Sequence, residues 1–465
     1  MEIKPFHELW NDGVLFLLQK HGCGSYFSCR SFFVFQRGLV ERWSFLKNYF
    51  LEDTQMRNYA KRWLALLLAM TMLLAMTACS NNDEPQTNDQ PQQEQQTPQQ
   101  PVTPQQPTEE DYNGKLISEG MMDIQYAQQF AIEKFKGGYR LVTDNLSGNK
   151  ILVVPENMKV PTELDSDVQV LQLPVTNAYI CGTNVVNMCD AIGAIEKVTL
   201  VGADSTWRFD SIKQQLDSGH TKFAGGYTGD PDYEVIGTAG TQIAVWNGYE
   251  EEVFDKLKGL GICAIAEENT GEPGLYGRME WMRCLGVLLG VEEQAEAHYA
   301  DQMAKIEAIR SKGDTGLVVG MGAMSGSSGK CYGRKSADFQ ADYIRYAGGV
   351  YNMEDFEPGK GGSATLTPED FYLMFKDCDV LIWSQSIPSE GEQETMEDLL
   401  AFYPAIADFK AYQNDQIYTQ SNHYIQTGAG NPWCVVNDIH TILTSDDPDV
   451  TTDHIVRLPW AADLG

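Results

Sequence analysis

The sequence predicts an α/β fold of two lobes joined by one long helix. Three observations carry that expectation. Short apolar runs alternate with helical stretches on both sides of residues 274–311, the pattern of mostly parallel sheets covered on both faces. The stretch 274–311 is itself the longest helical signal, with apolar residues at helical spacing through Met282, Leu285, Leu288 and Leu289, then Tyr299, Met303, Ile306 and Ile309. The flanking halves also share a faint repeat. Residues 231–234, read PDYE, lead to a strand closing on Trp246, and residues 367–370, read TPED, lead to one closing on Trp383.

In order along the chain, residues 1–55 mix aromatic and basic side chains without periodicity and read as an over-extended gene start before Met56. Residues 56–78 then have the layout of a signal peptide. Arg57, Lys61 and Arg62 make a positive head, and the apolar run behind it is too short for a comfortable membrane span. Met-Thr-Ala before Cys79 resembles the lipobox of bacterial lipoproteins, which would make Cys79 the lipid-bearing N-terminus. From there to residue 112, Pro, Gln, Asn and acids dominate. Such a segment cannot enter a core and reads as a disordered tether to a membrane.

The body divides into an N-terminal lobe at 113–275, an inter-lobe helix at 276–311 and a C-terminal lobe at 312–465. In the first lobe, strands are expected at 139–143 and 150–154 around an Asn-Leu-Ser-Gly turn, then at 168–173, 197–201, 242–246 and 261–266. Helices are expected at 184–195, from Asp204 and Ser205 as caps through Leu216, from Pro231, and at 250–258. The inter-lobe stretch is apolar nearly all round from Met279 to Val291 and amphipathic from Glu292, with Gly290 marking a break or restart. The second lobe has strands at 315–321 and 380–383 and helices at 337–346, 368–375 and 432–443.

Composition narrows the function. A net charge of -31 repels nucleic acid. Ten cysteines without a C-x-x-C pair argue for small core residues rather than a metal site. His220, His298, His423 and His440 are too scattered to trap a bare metal ion. No G-x-S-x-G, Walker or H-E-x-x-H pattern occurs, and the glycine-rich loop at 320–330 lacks the Gly-Lys-Ser/Thr ending of a phosphate loop. The chain reads as a binder rather than an enzyme. A surface adhesin would explain lipid, tether and acidity, but not two alternating lobes around one helix.

The lipobox, the tether and the two lobes resemble the solute-binding lipoproteins of bacterial ABC transporters, in the class that carries iron–siderophore complexes, haem or cobalamin. The segments GRMEWMRCLGVLLGVEEQAEAHYADQM, YAGGVYNM, LTPEDFY, CDVLIW and VVNDIHTIL carry the resemblance, in the family's order, within about residues 137–447. It implies two Rossmann-like lobes with a ligand cleft between them, an iron complex as cargo, an ABC permease as partner and a lipid on Cys79 as the only covalent group. The cell-membrane exterior, periplasm or surface, is the implied location. Ligands of open α/β sheets sit beyond the carboxyl ends of the strands. The candidate liners are therefore Tyr179, Trp207, Arg208, Trp246 and Asn247 in the first lobe and Arg334, Lys335, Trp383, Asn422 and Tyr424 in the second. Aromatic faces suit a macrocycle or catechol, and the arginines suit anionic groups. Glu234 and Glu369, at matching places in the half-repeats, correspond to the acids through which each lobe of the family meets its permease.

Overall fold

A computed structural model describes residues 115–464, apart from 205, 206, 390, 392, 448 and 449. The expectations for the gene start, the signal peptide, Cys79 and the tether lie outside the described residues.

The first lobe holds two sheets where the sequence suggests one. Strands β1 (Ser118–Met121), β2 (Phe130–Phe135), β3 (Arg140–Asp144), β4 (Lys150–Val154) and β5 (Val168–Gln172) form a sheet in that order, antiparallel except for the β4–β5 pair. The expected β3–β4 hairpin is present. Its turn is closed by the Asp144 carboxylate, which accepts the N–H groups of Leu146 and Ser147 at 2.8 and 3.1 Å. Connections this short can join only antiparallel neighbours, which is why these strands stand apart from the parallel sheet.

That second sheet follows from β6 (Ala178–Ile180), α1 (Thr183–Ala191), β7 (Val198–Val201), α2 (Asp210–Ser218), β8 (Lys222–Phe223), α3 (Tyr233–Thr238), β9 (Ile243–Asn247), α4 (Glu251–Gly259) and β10 (Cys263–Glu267). The strand order is β10-β9-β6-β7-β8, all parallel. Strands β9 and β10 read as unbroken apolar runs because both faces are covered. Helix α2 begins at Asp210, later than Asp204 and Ser205 would cap it, because Trp207 and Phe209 stack edge to face at 5.8 Å and are buried. Side chains join the two sheets: the Asp144 carboxylate at the end of β3 accepts the Ala266 N–H of β10 at 2.9 Å, and Gln169 of β5 makes a second bridge. The Gln169 amide accepts the Ala264 N–H at 3.1 Å and donates to the Ala264 carbonyl at 3.4 Å, joining β5 to β10.

The inter-lobe helix is a hairpin of two helices, α5 (Gly274–Leu289) and α6 (Glu292–Arg310). Gly290 takes the left-handed conformation at φ 69°, which stops α5 and turns the chain back, as its break signal suggested. The helices then run antiparallel. Arg283 Nε donates to Glu296 at 2.8 Å, Tyr276 Oη donates to Glu307, and Gly286 lies directly against Ala295. Fifteen of the sixteen α5 residues are buried, while α6 buries one face.

The second lobe contains β11 (Val318–Met324), β12 (Cys331–Arg334), α7 (Phe339–Tyr346), β13 (Val350–Tyr351), β14 (Ser363–Leu366), α8 (Pro368–Phe375) and β15 (Val380–Trp383). It continues through α9 (Met396–Phe402), α10 (Lys410–Gln413), β16 (Ile417–Gln420), α11 (Asn422–Thr427), α12 (Pro432–Thr444) and β17 (Ile455–Arg457). Parallel strands β13, β11, β15 and β16 form its centre, with β17 antiparallel at one edge and the β12–β14 pair at the other. Helix α5 packs on both α1 and α7, and α6 packs on α12, so the hairpin touches both lobes. Two carboxylates bind it to the linker after β1. Glu280 accepts the N–H groups of Gln125, Tyr126 and Ala127, and Glu272 accepts those of Gln128 and Gln129 and the Trp281 indole.

Candidate functional site

A cavity of about 380 Å³ opens where the carboxyl ends of both parallel sheets face each other. Each lobe contributes the residues that follow its strands, the place where chain leaves a sheet and side chains are free to meet a ligand. From the first lobe come Thr183 and Asn184 after β6, Tyr227 after β8, Asn247 at the end of β9 and Thr270 after β10. From the second come Arg334 at the end of β12, Phe339, Gln340 and Tyr343 on α7, Ser384 and Gln385 after β15, Gln420 ending β16, and Tyr424 on α11. Arg278, in the second turn of α5, closes the floor.

The floor is a polar network held by burial. The Gln340 amide lies 3.0 Å from the Gln420 amide, 3.2 Å from the Tyr424 hydroxyl and 3.3 Å from both terminal nitrogens of Arg334. Arg334 also donates to Ser363 Oγ at 2.8 Å. Burial pushes the Tyr343 hydroxyl up to about 12 and raises that of Tyr424 well above its ordinary value, so both remain neutral. Beneath Arg334, burial raises the Asp338 carboxyl against the opposing pull of that arginine and of two backbone N–H groups, those of Gln340 and Gly362. On the first-lobe side, Asn184 donates to Asn269, which in turn donates to the carboxylate of Glu267. Burial pushes Glu267 up to about 7.

Of the sequence candidates, Asn247, Arg334 and Tyr424 come together in this cavity. Asn422 and the backbone of Trp383's strand end border an adjoining cavity of about 380 Å³ that shares Ser384, Gln385 and Gln420. Tyr179 and Trp246 need correction as cleft liners. Both rings are buried in the first lobe's core, 6.3 Å apart, with Tyr179 donating to the Gly225 carbonyl and Gly226 pressed on the Trp246 ring. The Trp383 ring is likewise fully buried, edge-on to Phe371 at 6.1 Å and beside Tyr403. Side chains alternate faces along a strand, and these three point into the cores under the covering helices; only Trp383 ends its strand, Tyr179 being central in β6 and Trp246 next to last in β9. Trp207 is buried against Phe209, and Arg208 instead ties the lobes, its backbone N–H donating to Gln426 Oε1 at 2.7 Å. Lys335 faces Glu357 at 3.5 Å, outside the cavity. Glu234 and Glu369 are exposed in the first turns of α3 and α8.

Sequence reading missed Arg278, Phe339, Gln340 and Tyr343. They sit on helices whose apolar spacing signals core, and only their place beside the strand ends brings them into the cleft. The signal available was Arg278 itself, one of three charged residues, with Glu280 and Arg283, in a helical run that is apolar elsewhere.

Three comparisons bear on this arrangement. The family model described as periplasmic binding protein matches residues 182–424, just over half the chain and the span that carries the cavity walls. Two uncharacterized lipoproteins of Methanocaldococcus jannaschii are each 25% identical to it, one over 71% of this chain and 86% of its own length, the other over 66% and 75%. A periplasmic haem-binding protein of Vibrio cholerae is similar over 58% of this chain and all of its own, at 17% identity and a TM-score of 0.47. At that distance its ligand does not transfer.

Proposed function

The chain belongs to the periplasmic binding protein family, and from that premise we propose that it captures an iron complex of the siderophore type and delivers it to an ABC permease. A family of binding proteins calls for a cleft, not a catalytic constellation. The observation that carries the reading is the polar, aromatic-floored cavity at the carboxyl ends of two parallel sheets, walled by both lobes. Such a site takes a ligand that spans the lobes and contacts both. Asn247, Arg334 and Tyr424 are its proposed contacts from the original candidates. Haem and cobalamin suit the same architecture.

The cargo's route follows from the two ends of the chain. Cys79, behind a lipobox-like run, is proposed to carry the lipid that holds the protein outside the cytoplasmic membrane, in keeping with the two lipoprotein relatives. Glu234 and Glu369 are proposed to present one acid per lobe to the permease. The test is to purify the native protein and identify what accompanies it by absorbance and mass. An iron complex, haem or cobalamin in stoichiometric amount supports the reading. A preparation that carries none of them, and gains no thermal stability from any, overturns it; saturation at 100 times Kd should add about 2.7 kcal/mol.

A further inference from the structure

The cavity carries the opposite charge to the molecule around it. The chain has a net charge of -31, yet no aspartate or glutamate lines the cavity, and its two charged wall residues are Arg278 and Arg334. Arg278 is 7% exposed. Among the described residues no carboxylate pairs with it at contact distance and its buried Nε has no hydrogen-bond acceptor; the Glu267 and Asp338 carboxyls feel its charge without touching it. Its guanidinium lies 3.9 Å over the Phe339 ring. That stacking fixes the plane of the fork and leaves its edge to be satisfied by something else. A cation taken out of water without an acceptor is costly, and a fold retains one where a ligand completes it. Arg334, across the same cavity, has only Ser363 and the Gln340 amide for its terminal nitrogens.

We propose that the ligand presents an anionic oxygen group, a carboxylate or catecholate, to Arg278 on the inter-lobe hairpin, with Arg334 as the second cationic contact. This rests on the solute-binding reading and narrows it. Ferric complexes with anionic oxygen at their periphery fit, as does haem through its two carboxylates. Net-neutral ferric trihydroxamates and cyanocobalamin do not.

The test titrates the full chain with a ferric tris-catecholate, haemin, a neutral ferric trihydroxamate and cyanocobalamin, reading tryptophan fluorescence at low and high ionic strength. At least one anionic probe should bind about tenfold or more tighter than either neutral one, and Arg278→Gln should weaken it by at least about tenfold, as expected for a charge-assisted bidentate contact. Arg278→Lys, which keeps the charge but not the fork, should fall between the two. The melting temperature of each variant is read beside the parent's, and Arg278→Lys, which keeps the charge over Phe339, separates lost binding from lost folding. A neutral probe binding as tightly as the anionic ones would overturn the proposal, as would an Arg278→Gln variant with undiminished affinity. In either case ligand still binds and the solute-binding reading stands. Failure of all four probes overturns the proposal, and only an empty native preparation as well would bring down that reading.

Discussion

Glu267 ends β10 with a fully buried carboxyl, one oxygen held by Asn269 and the other without a partner. Burial lifts it to about 7 from an ordinary 4.5. A group that binds its proton more tightly when folded favours the fold at low pH, and that advantage is present below about 4.5 and lost as pH rises through 7. The shift corresponds to about 3 kcal/mol at full ionisation. Glu267→Gln should therefore be more stable than the parent at pH 8 and show a flatter stability profile between pH 4.5 and 7, measured by urea unfolding across that range. Equal pH profiles for the two proteins would mean the carboxyl stays solvated in solution. Nothing in the sequence marks this residue beyond its place after a strand. Its environment is made by Asn269, by the Ala266 and Cys263 strand and by Arg278, which lies eleven positions away and on another element.

At the scale of elements, the hairpin shows what was legible and what was not. Apolar spacing located both of its helices, and Gly290 announced the break between them. The reversal was not legible, because a left-handed glycine can equally restart a helix in a new direction. Only contacts across the turn, from Gly286 against Ala295 to Tyr276 with Glu307, fix the fold-back. Gly286 shows the same limit. Propensity makes it a tolerated interior glycine whose replacement by alanine should gain up to about 1 kcal/mol. Against α6, however, an added methyl would lie 2.3 Å from the Ala295 Cβ and force the helices apart. Overpacking of this kind costs about 1–3 kcal/mol, so packing wins and Gly286→Ala should lower stability in chemical denaturation. A gain would mean the helices separate easily. The parallel strands were legible for the opposite reason. Their apolar runs are continuous, and β9 and β10 fall within two residues of expectation. The antiparallel β12–β14 pair depends on pairing across an intervening helix and strand, which leaves no local period.

For the molecule as a whole, the outer surface and the cleft divide the electrostatic work. Glu234 and Glu369 are exposed and neither lines the cavity, so the docking proposed for them would use residues apart from those of ligand capture. Glu234→Arg with Glu369→Arg should stop uptake in cells while changing ligand affinity by no more than a few-fold, each single reversal weakening uptake in part. Intact uptake, or collapse of ligand binding, would remove these acids from the docking role. The candidate site divides along a similar line. Strand ends were readable and gave Asn247, Arg334 and Tyr424, whereas side-chain direction at those ends was not, which is why the three large rings lie in cores. One further feature shapes how the whole body behaves in time. The Gln169 amide stands where a neighbouring strand's peptide would stand, closing the outer edge of β10 with a side chain. With Asp144, which accepts the Ala266 N–H, it ties the first sheet to the edge of the first parallel sheet. The amides of the two sheets should exchange with deuterium as one cooperative unit, and Gln169→Leu should release the Ala264 amide first while Asp144 still protects Ala266; equal protection of Ala264 in both proteins would remove Gln169 from that role.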